Sequence, residues 1–244
     1  MLTIIASMER ELSGLRREIS SVKSNRSSDL RVVGVGKSRS RTRLREILKA
    51  GSGTSPRVLL MLGFAGAVDP ELKTGDLVLS SKYYVEFPGE DYLPPDSEMR
   101  QNAIIAAANA GFPVHHLDSL TVDGIVSTSS VKAALGEKYP VGIVGMEDYW
   151  LALTAQDSEV PFISVRAVLD TAHQHLPVYL PGLSQGRSLD VLRMVAMPWR
   201  VPPLLKLAYQ ARIAQQSLTR FAVSFVRQWE SEGDASTETI VAVA

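Results

Sequence analysis

Three carboxylates stand where acid–base chemistry can be placed from sequence alone: Glu11, Glu147 and Asp170. Asp170 follows the apolar run 162–168 and so falls at the end of a predicted buried strand. A carboxyl there serves as a general acid near neutral pH if burial or a ligand raises its pKa. The other role open to an Asp-Thr pair after a strand is a helix N-cap. Glu147 follows Met146 at the start of a predicted helix, where it is either functional or a charge favouring the helix dipole beside a core methionine. Glu11 is either a functional residue or a solvated first-turn residue beside Glu9 and Arg10. Arg166, inside the strand that ends at Asp170, reads as orienting a neighbouring carboxylate or loop, or as one half of a structural ion pair.

Other chemistries are disfavoured. The histidines fall in two close pairs, His115 with His116 and His173 with His175, without an accompanying carboxylate pattern. They read as loop or surface residues and no metal is expected, although His173 is placed to help close a pocket. The chain has no cysteine, which removes disulfides and thiolate metal sites. Gly34-Val35-Gly36-Lys37 has the start of a phosphate loop, but its glycine spacing fits neither a Walker motif nor a dinucleotide fingerprint. A tight strand-to-helix turn is the reading, and no cofactor is expected. A net charge of zero disfavours nucleic acid as a partner.

These residues need elements to hold them. The runs 2–6, 31–35, 58–62, 77–80 and 162–168 are short, rich in Val, Ile and Leu, and read as buried strands. Helical spacing occupies 8–19, 41–50, 98–110 and 147–156. The alternation predicts an α/β fold with a largely parallel or mixed sheet covered on both faces. Turn residues mark the loops, among them Thr74-Gly75-Asp76, Pro88-Gly89-Glu90-Asp91 and Leu93-Pro94-Pro95-Asp96, the last able to cover a pocket. After Asp170 the pattern changes to Leu176-Pro177-Val178-Tyr179-Leu180-Pro181-Gly182, and a long helix is predicted over about 203–229. Its Leu204, Leu207, Ala211, Ala214, Leu218, Phe221 and Phe225 share one stripe, which either docks on the core or meets an apolar substrate tail or partner subunit. With 244 residues, 45% hydrophobic and 21% charged, the chain reads as a single globular domain over 1–230 with a frayed tail at 231–244. The opening apolar run is too brief for a signal or spanning segment, so no transmembrane segment and a cytoplasmic location are expected.

Three segments in order add a resemblance: Ala6-Ser7-Met8-Glu9-Arg10-Glu11; Gly63-Phe64-Ala65-Gly66-Ala67 continued through Lys73-Thr74-Gly75-Asp76; and Val144-Gly145-Met146-Glu147 with Val165-Arg166-Ala167-Val168-Leu169-Asp170. Together they resemble the nucleoside phosphorylase and nucleosidase superfamily, in particular its methylthioadenosine/S-adenosylhomocysteine nucleosidase branch. The resemblance implies a three-layer α/β/α sandwich whose central mixed sheet is partly barrel-like, a homo-oligomer, commonly a dimer, and cleavage of an N-glycosidic bond. It assigns Asp170 to protonating a purine ring nitrogen, Glu147 to the ribose hydroxyls with Met146 packed on the sugar, Glu11 to activating water, and Phe64, Ala65 and Gly66 to the substrate turn.

Phosphorolysis needs arginines and a hydroxyl at that turn. Phe64 stands there instead, which favours water over phosphate. Residues 125–132 occupy the place of the stretch that stacks on adenine in the adenine-specific nucleosidases, and the aromatic is missing. Tyr149 and Trp150 follow Glu147 where small residues are usual, which suggests a reshaped pocket. The C-terminal third, with Met197-Pro198-Trp199-Arg200-Val201-Pro202-Pro203, resembles hopanoid-associated members of the superfamily, whose nucleosides carry an apolar 5′ group. The sequence therefore supports hydrolysis of a purine, adenine-type nucleoside first. Phosphorolytic or lipid-nucleoside cleavage comes second, and a nucleoside-binding protein without turnover third.

Overall fold

The apolar runs become the middle of one mixed sheet. The structure, a computed structural model, describes residues 1–21, 28–49, 58–86, 91–177 and 201–241. In chain order these form β1 (Leu2–Ala6), α1 (Glu9–Ser21), β2 (Asp29–Val32), α2 (Lys37–Lys49), β3 (Val58–Ala67), β4 (Leu77–Leu79), β5 (Tyr83–Val85), β6 (Tyr92–Leu93), α3 (Ser97–Asn109), β7 (Val114–His115), β8 (Ser119–Thr121), α4 (Ser129–Lys138), β9 (Ile143–Gly145), α5 (Asp148–Gln156), β10 (Phe162–Asp170) and α6 (Val201–Val241). Residues 87–90 and 178–200 of the loops and motifs named above lie outside the described residues.

Strand β3 organises the sheet. One edge pairs in parallel with β1, from Leu2 against Val58 to Ala6 against Leu62, and then antiparallel with β9 at Gly66 and Ala67. Its other edge carries β10 in parallel. Because a single edge serves two partners in succession, the sheet splits and curls, giving the half-barrel expected. The remaining order runs β6-β5-β8-β9-β3-β10-β4-β7, with β2 outside β1.

Alternation along the central strands assigns the two faces. Leu2, Ile4, Leu60, Leu62, Ile163 and Val165 pack with α1, α3 and α6. Ile5, Leu59, Met61 and Phe162 pack instead with Leu44 of α2 and Leu151 of α5. Helix layers therefore cover both faces, giving the three-layer α/β/α sandwich expected. Tyr149 and Trp150 belong to the second of these cores, with Trp150 beneath Lys37 Nζ at 3.7 Å. Their bulk fills the interior behind Glu147.

Helix α6 is longer than the 203–229 predicted. From Ala211 onward its stripe, including Ala214, Leu218, Phe221 and Phe225, is buried in the first core. Each large side chain so buried contributes about 1.5–3 kcal/mol, which decides for docking over an apolar tail along that part of the helix. Among the described residues no helix is long and apolar enough to cross a membrane.

The Lys73-Thr74-Gly75-Asp76 turn locks the end of β10. Gly75, at φ +93°, donates its N–H to Val168 O at 2.8 Å, and Val168 N donates to Asp76 O at 2.9 Å. Only a glycine takes that left-handed conformation without strain. Thr74 Oγ1 reaches Leu169 O at 3.3 Å and accepts from Gln210 of α6 at 3.1 Å.

Candidate active site

The strands β1, β3 and β10 run in parallel, so their carboxyl ends lie together, where open α/β sheets place their ligands. β1 leads through Ser7 and Met8 into the first turn of α1, which carries Glu11. That side chain is buried, not solvated. One carboxylate oxygen accepts from Met8 N at 2.8 Å and the other from Phe64 N at 2.9 Å, tying α1 to the turn of β3. Burial pushes its carboxyl from the ordinary 4.5 up to about 7, against the pull of Arg166 and both amides.

Arg166 is fully buried on β10. Its Nε donates to Asp148 Oδ1 at 2.9 Å and Nη2 to the same oxygen at 2.5 Å, while Ser164 Oγ adds a bond to that oxygen at 2.7 Å. Nη2 also lies 3.7 Å from Glu147 Oε2, and Nη1 donates to Phe64 O at 3.4 Å. Both roles proposed from sequence are present: a structural ion pair with Asp148 and a cation beside Glu147 and Glu11. The guanidinium stays charged because these carboxylates outweigh its burial.

Glu147 sits at the N-cap position of α5 but makes no capping bond. Its Oε1 instead accepts from Gly36 N at 2.9 Å. Gly34 and Gly36, at φ +88° and +83°, make the tight strand-to-helix turn expected, which aims that amide at the site. Burial raises the Glu147 pKa, and Arg166 opposes the shift. Met146 is half-buried, with its methyl group 4.0 Å from where a Cβ on Gly36 would lie.

Asp170 is the last residue of β10, and residues 171–177 that follow it form no helix, so it is not an N-cap. Between Val168 and Asp170 the register slips: β10 advances two residues while β3 advances one, from Ala65 to Gly66. Such irregularities re-aim side chains. Here the carboxylate comes to lie against Gly66, whose absent Cβ would be 3.4 and 3.5 Å from the two oxygens. Burial raises its pKa and Lys132 opposes the rise.

The structure thus gathers Glu11 and Arg166 around the backbone of Phe64, brings Glu147 beside Arg166, and sets Asp170 against Gly66 further along β3. Ala65 is buried, and the Phe64 ring packs half-buried against the first core. Two charged residues in this cluster escaped the sequence reading. Asp148 could have been inferred, because an arginine inside an apolar strand requires a buried anion. Lys132 carried no such signal. It lies in the 125–132 stretch that was notable for a missing aromatic, on helix α4 capped by Thr128. Its Nζ is paired with Asp170 Oδ2. Among the described residues no three His, Asp or Glu side chains gather to hold a metal. A groove of about 710 Å³ lined by Asn109 of α3 and by Thr219, Arg220 and Arg227 of α6 includes none of these carboxylates.

Comparison with known proteins agrees with this architecture. Residues 21–180 match the model of the phosphorylase superfamily. Among solved structures, the chain is similar to the futalosine hydrolase of Helicobacter pylori, with a TM-score of 0.72 and 16% identity over 93% of this chain and 97% of that one. It is also similar to 5′-methylthioadenosine/S-adenosylhomocysteine nucleosidases. That of Campylobacter jejuni gives a TM-score of 0.66 and 18% identity over 91% and 97% of the two chains. That of Neisseria meningitidis, in complex with methylthio-immucillin-A, gives 0.70 and 19% over 92% and 97%.

Proposed function

The chain belongs to the phosphorylase superfamily, and from that premise we propose that it hydrolyses the N-glycosidic bond of a purine nucleoside with an adenine-type base. The observation that carries the reading is the convergence of three buried carboxylates at the ends of β3 and β10: Glu11 and Asp170 lie against β3, and Glu147 lies beside Arg166 of β10. Glu11 lies against Gly63 and Asp170 against Gly66. Three residues of strand separate them by roughly 10 Å, room for a nucleoside with its sugar at one end and its base at the other.

Breaking the bond leaves the ribose with oxocarbenium character while electrons flow into the base. Asp170 protonates a ring nitrogen of the base, so that it leaves neutral. Glu147 accepts hydrogen bonds from the ribose hydroxyls, held in place by Gly36 N and Arg166, with Met146 on the sugar face. Glu11, with a pKa of about 7, takes the proton of the attacking water. Phe64, Ala65 and Gly66 supply the turn under the substrate.

Water suits the site better than phosphate. The turn presents no hydroxyl, and the guanidinium of Arg166 is already occupied by Asp148 and flanked by Glu147. A phosphate dianion placed there would face carboxylates instead of free cations. The similarity of the fold to nucleosidases points the same way. The same reading includes assembly as a homodimer, which light scattering in solution checks.

The test is release of free base from adenosine and methylthioadenosine in phosphate-free buffer. Turnover that requires phosphate and yields ribose 1-phosphate would overturn hydrolysis. Tight nucleoside binding without any base release would leave a binding protein in its place.

A further inference from the structure

Lys132 is completely buried on α4. An ammonium withdrawn from water costs several kcal/mol unless it is paired, and this one is paired with the proposed acid. Its Nζ donates to Asp170 Oδ2 and, at 2.7 Å, to the carbonyl of Thr171. Among the described residues, the other elements around Asp170 offer no competing charge. β3 presents Gly66 and β9 presents Val144. In the loop beyond β10, His173 and His175 are exposed, and the His175 ring is engaged by Ser129 Oγ at 3.0 Å.

A cation on a general acid is at first sight a contradiction, because it favours the carboxylate that has no proton to give. A lysine resolves it, since an ammonium is itself an acid and is hydrogen-bonded directly to the carboxylate. We infer that Lys132 is a positioning residue that supplies Asp170 with the proton it passes to the leaving base. The inference rests on the reading of Asp170 as the acid. In the step, an N–H bond of Lys132 breaks as an O–H bond forms on Asp170, and that proton is delivered to a ring nitrogen of the base. The C–N glycosidic bond breaks with its electron pair going to the base. Water bonds to the ribose carbon and yields a proton to Glu11. After product release solvent takes the proton from Glu11 and returns one to the neutral Lys132 amine, so the net change is addition of one water across the bond.

The test is the pH dependence of kcat on adenosine for the unmodified protein and for Lys132→Arg, Lys132→Met and Asp170→Asn. Arginine keeps the cation but does not release its proton. Lys132→Arg is therefore expected to hold KM within about threefold and to lose kcat by about a hundredfold or more at every pH. Lys132→Met leaves Asp170 buried without a cation. Its kcat should match that of the unmodified protein at acid pH and fall below it as Asp170 gives up its own proton. The unmodified protein should instead stay level into mildly alkaline pH once Glu11 is ionised. A Lys132→Arg protein with unaltered kcat and pH profile overturns the inference. If neither lysine variant folds, the unmodified profile decides, because a kcat already declining across neutral pH is that of a carboxylic acid without resupply and also overturns it. Asp170→Asn separates the two readings. Full activity in that variant removes the acid itself, whereas an inactive Asp170→Asn beside an unaffected Lys132→Arg removes only the role of Lys132.

Discussion

Gly63 and Arg166 face each other in register on β3 and β10, and the arginine occupies the volume that a side chain on the glycine would need. A Cβ on Gly63 would lie 2.0 Å from Arg166 Nη1 and 3.3 Å from Glu11 Oε1. The missing side chain thus lets a buried guanidinium reach between two strands to the carboxylates beside them.

Gly63→Ala is accordingly expected to displace Arg166 from Asp148, because β3 is held in register on both edges and the backbone cannot yield. Breaking a buried ion pair costs about 3–5 kcal/mol, which lowers Tm by roughly 10 °C in a protein of this size. Thermal unfolding followed by circular dichroism measures it. A variant as stable as the parent would show that the site tolerates a shifted Arg166.

Glu11 links activity to stability through pH. Its folded pKa of about 7 exceeds the ordinary 4.5, so the folded state binds more protons than the unfolded one between those values. Stability therefore falls as pH rises through that window. The contribution lost between pH ~5.5 and ~7.5 is about 2 kcal/mol, and the raised pKa values of Glu147 and Asp170 act in the same direction. Urea unfolding at the two pH values should give the higher midpoint at the lower one, while kcat rises through about 7 as Glu11 becomes a base. Stability that is flat or rising over this range contradicts a Glu11 carboxyl whose burial outweighs its two amide partners and Arg166.

Glu147→Gln should weaken selection for the sugar. A charged acceptor contributes about 1.5–3 kcal/mol per hydrogen bond, so the preference for a ribonucleoside over its 2′-deoxy counterpart should shrink by roughly tenfold or more. The ratio of kcat/KM for adenosine and deoxyadenosine reads this directly. An unchanged ratio would place the ribose hydroxyls elsewhere.

Phe64→Ser restores a hydroxyl to the turn yet should not confer phosphate dependence, because Arg166 remains bound to Asp148. Base release should proceed at the same rate with and without phosphate. Acceleration by phosphate with formation of ribose 1-phosphate would show that Phe64 alone bars phosphorolysis.

The sequence by itself determined the layered α/β plan, since the runs at 2–6, 58–62 and 162–168 are long and apolar enough to be buried strands wherever they pair. It also singled out Glu11, Glu147 and Asp170, through the three segments that resemble the nucleosidases. β4 was legible only through the apolar run 77–80, whereas β5 and β8, equally short, were not, for so short a segment has little period to read and forms only because a neighbour supplies its hydrogen bonds. Tertiary structure alone decided how the charges pair. Whether Glu11 is solvated or buried depends on the approach of Phe64 N, 53 residues away. The union of Lys132 with Asp170 depends on α4 packing beside the end of β10. Local sequence fixes the periodicity that makes an element, but a buried charge is set by the partner that long-range packing brings within reach, and a single chain of letters does not encode that distance.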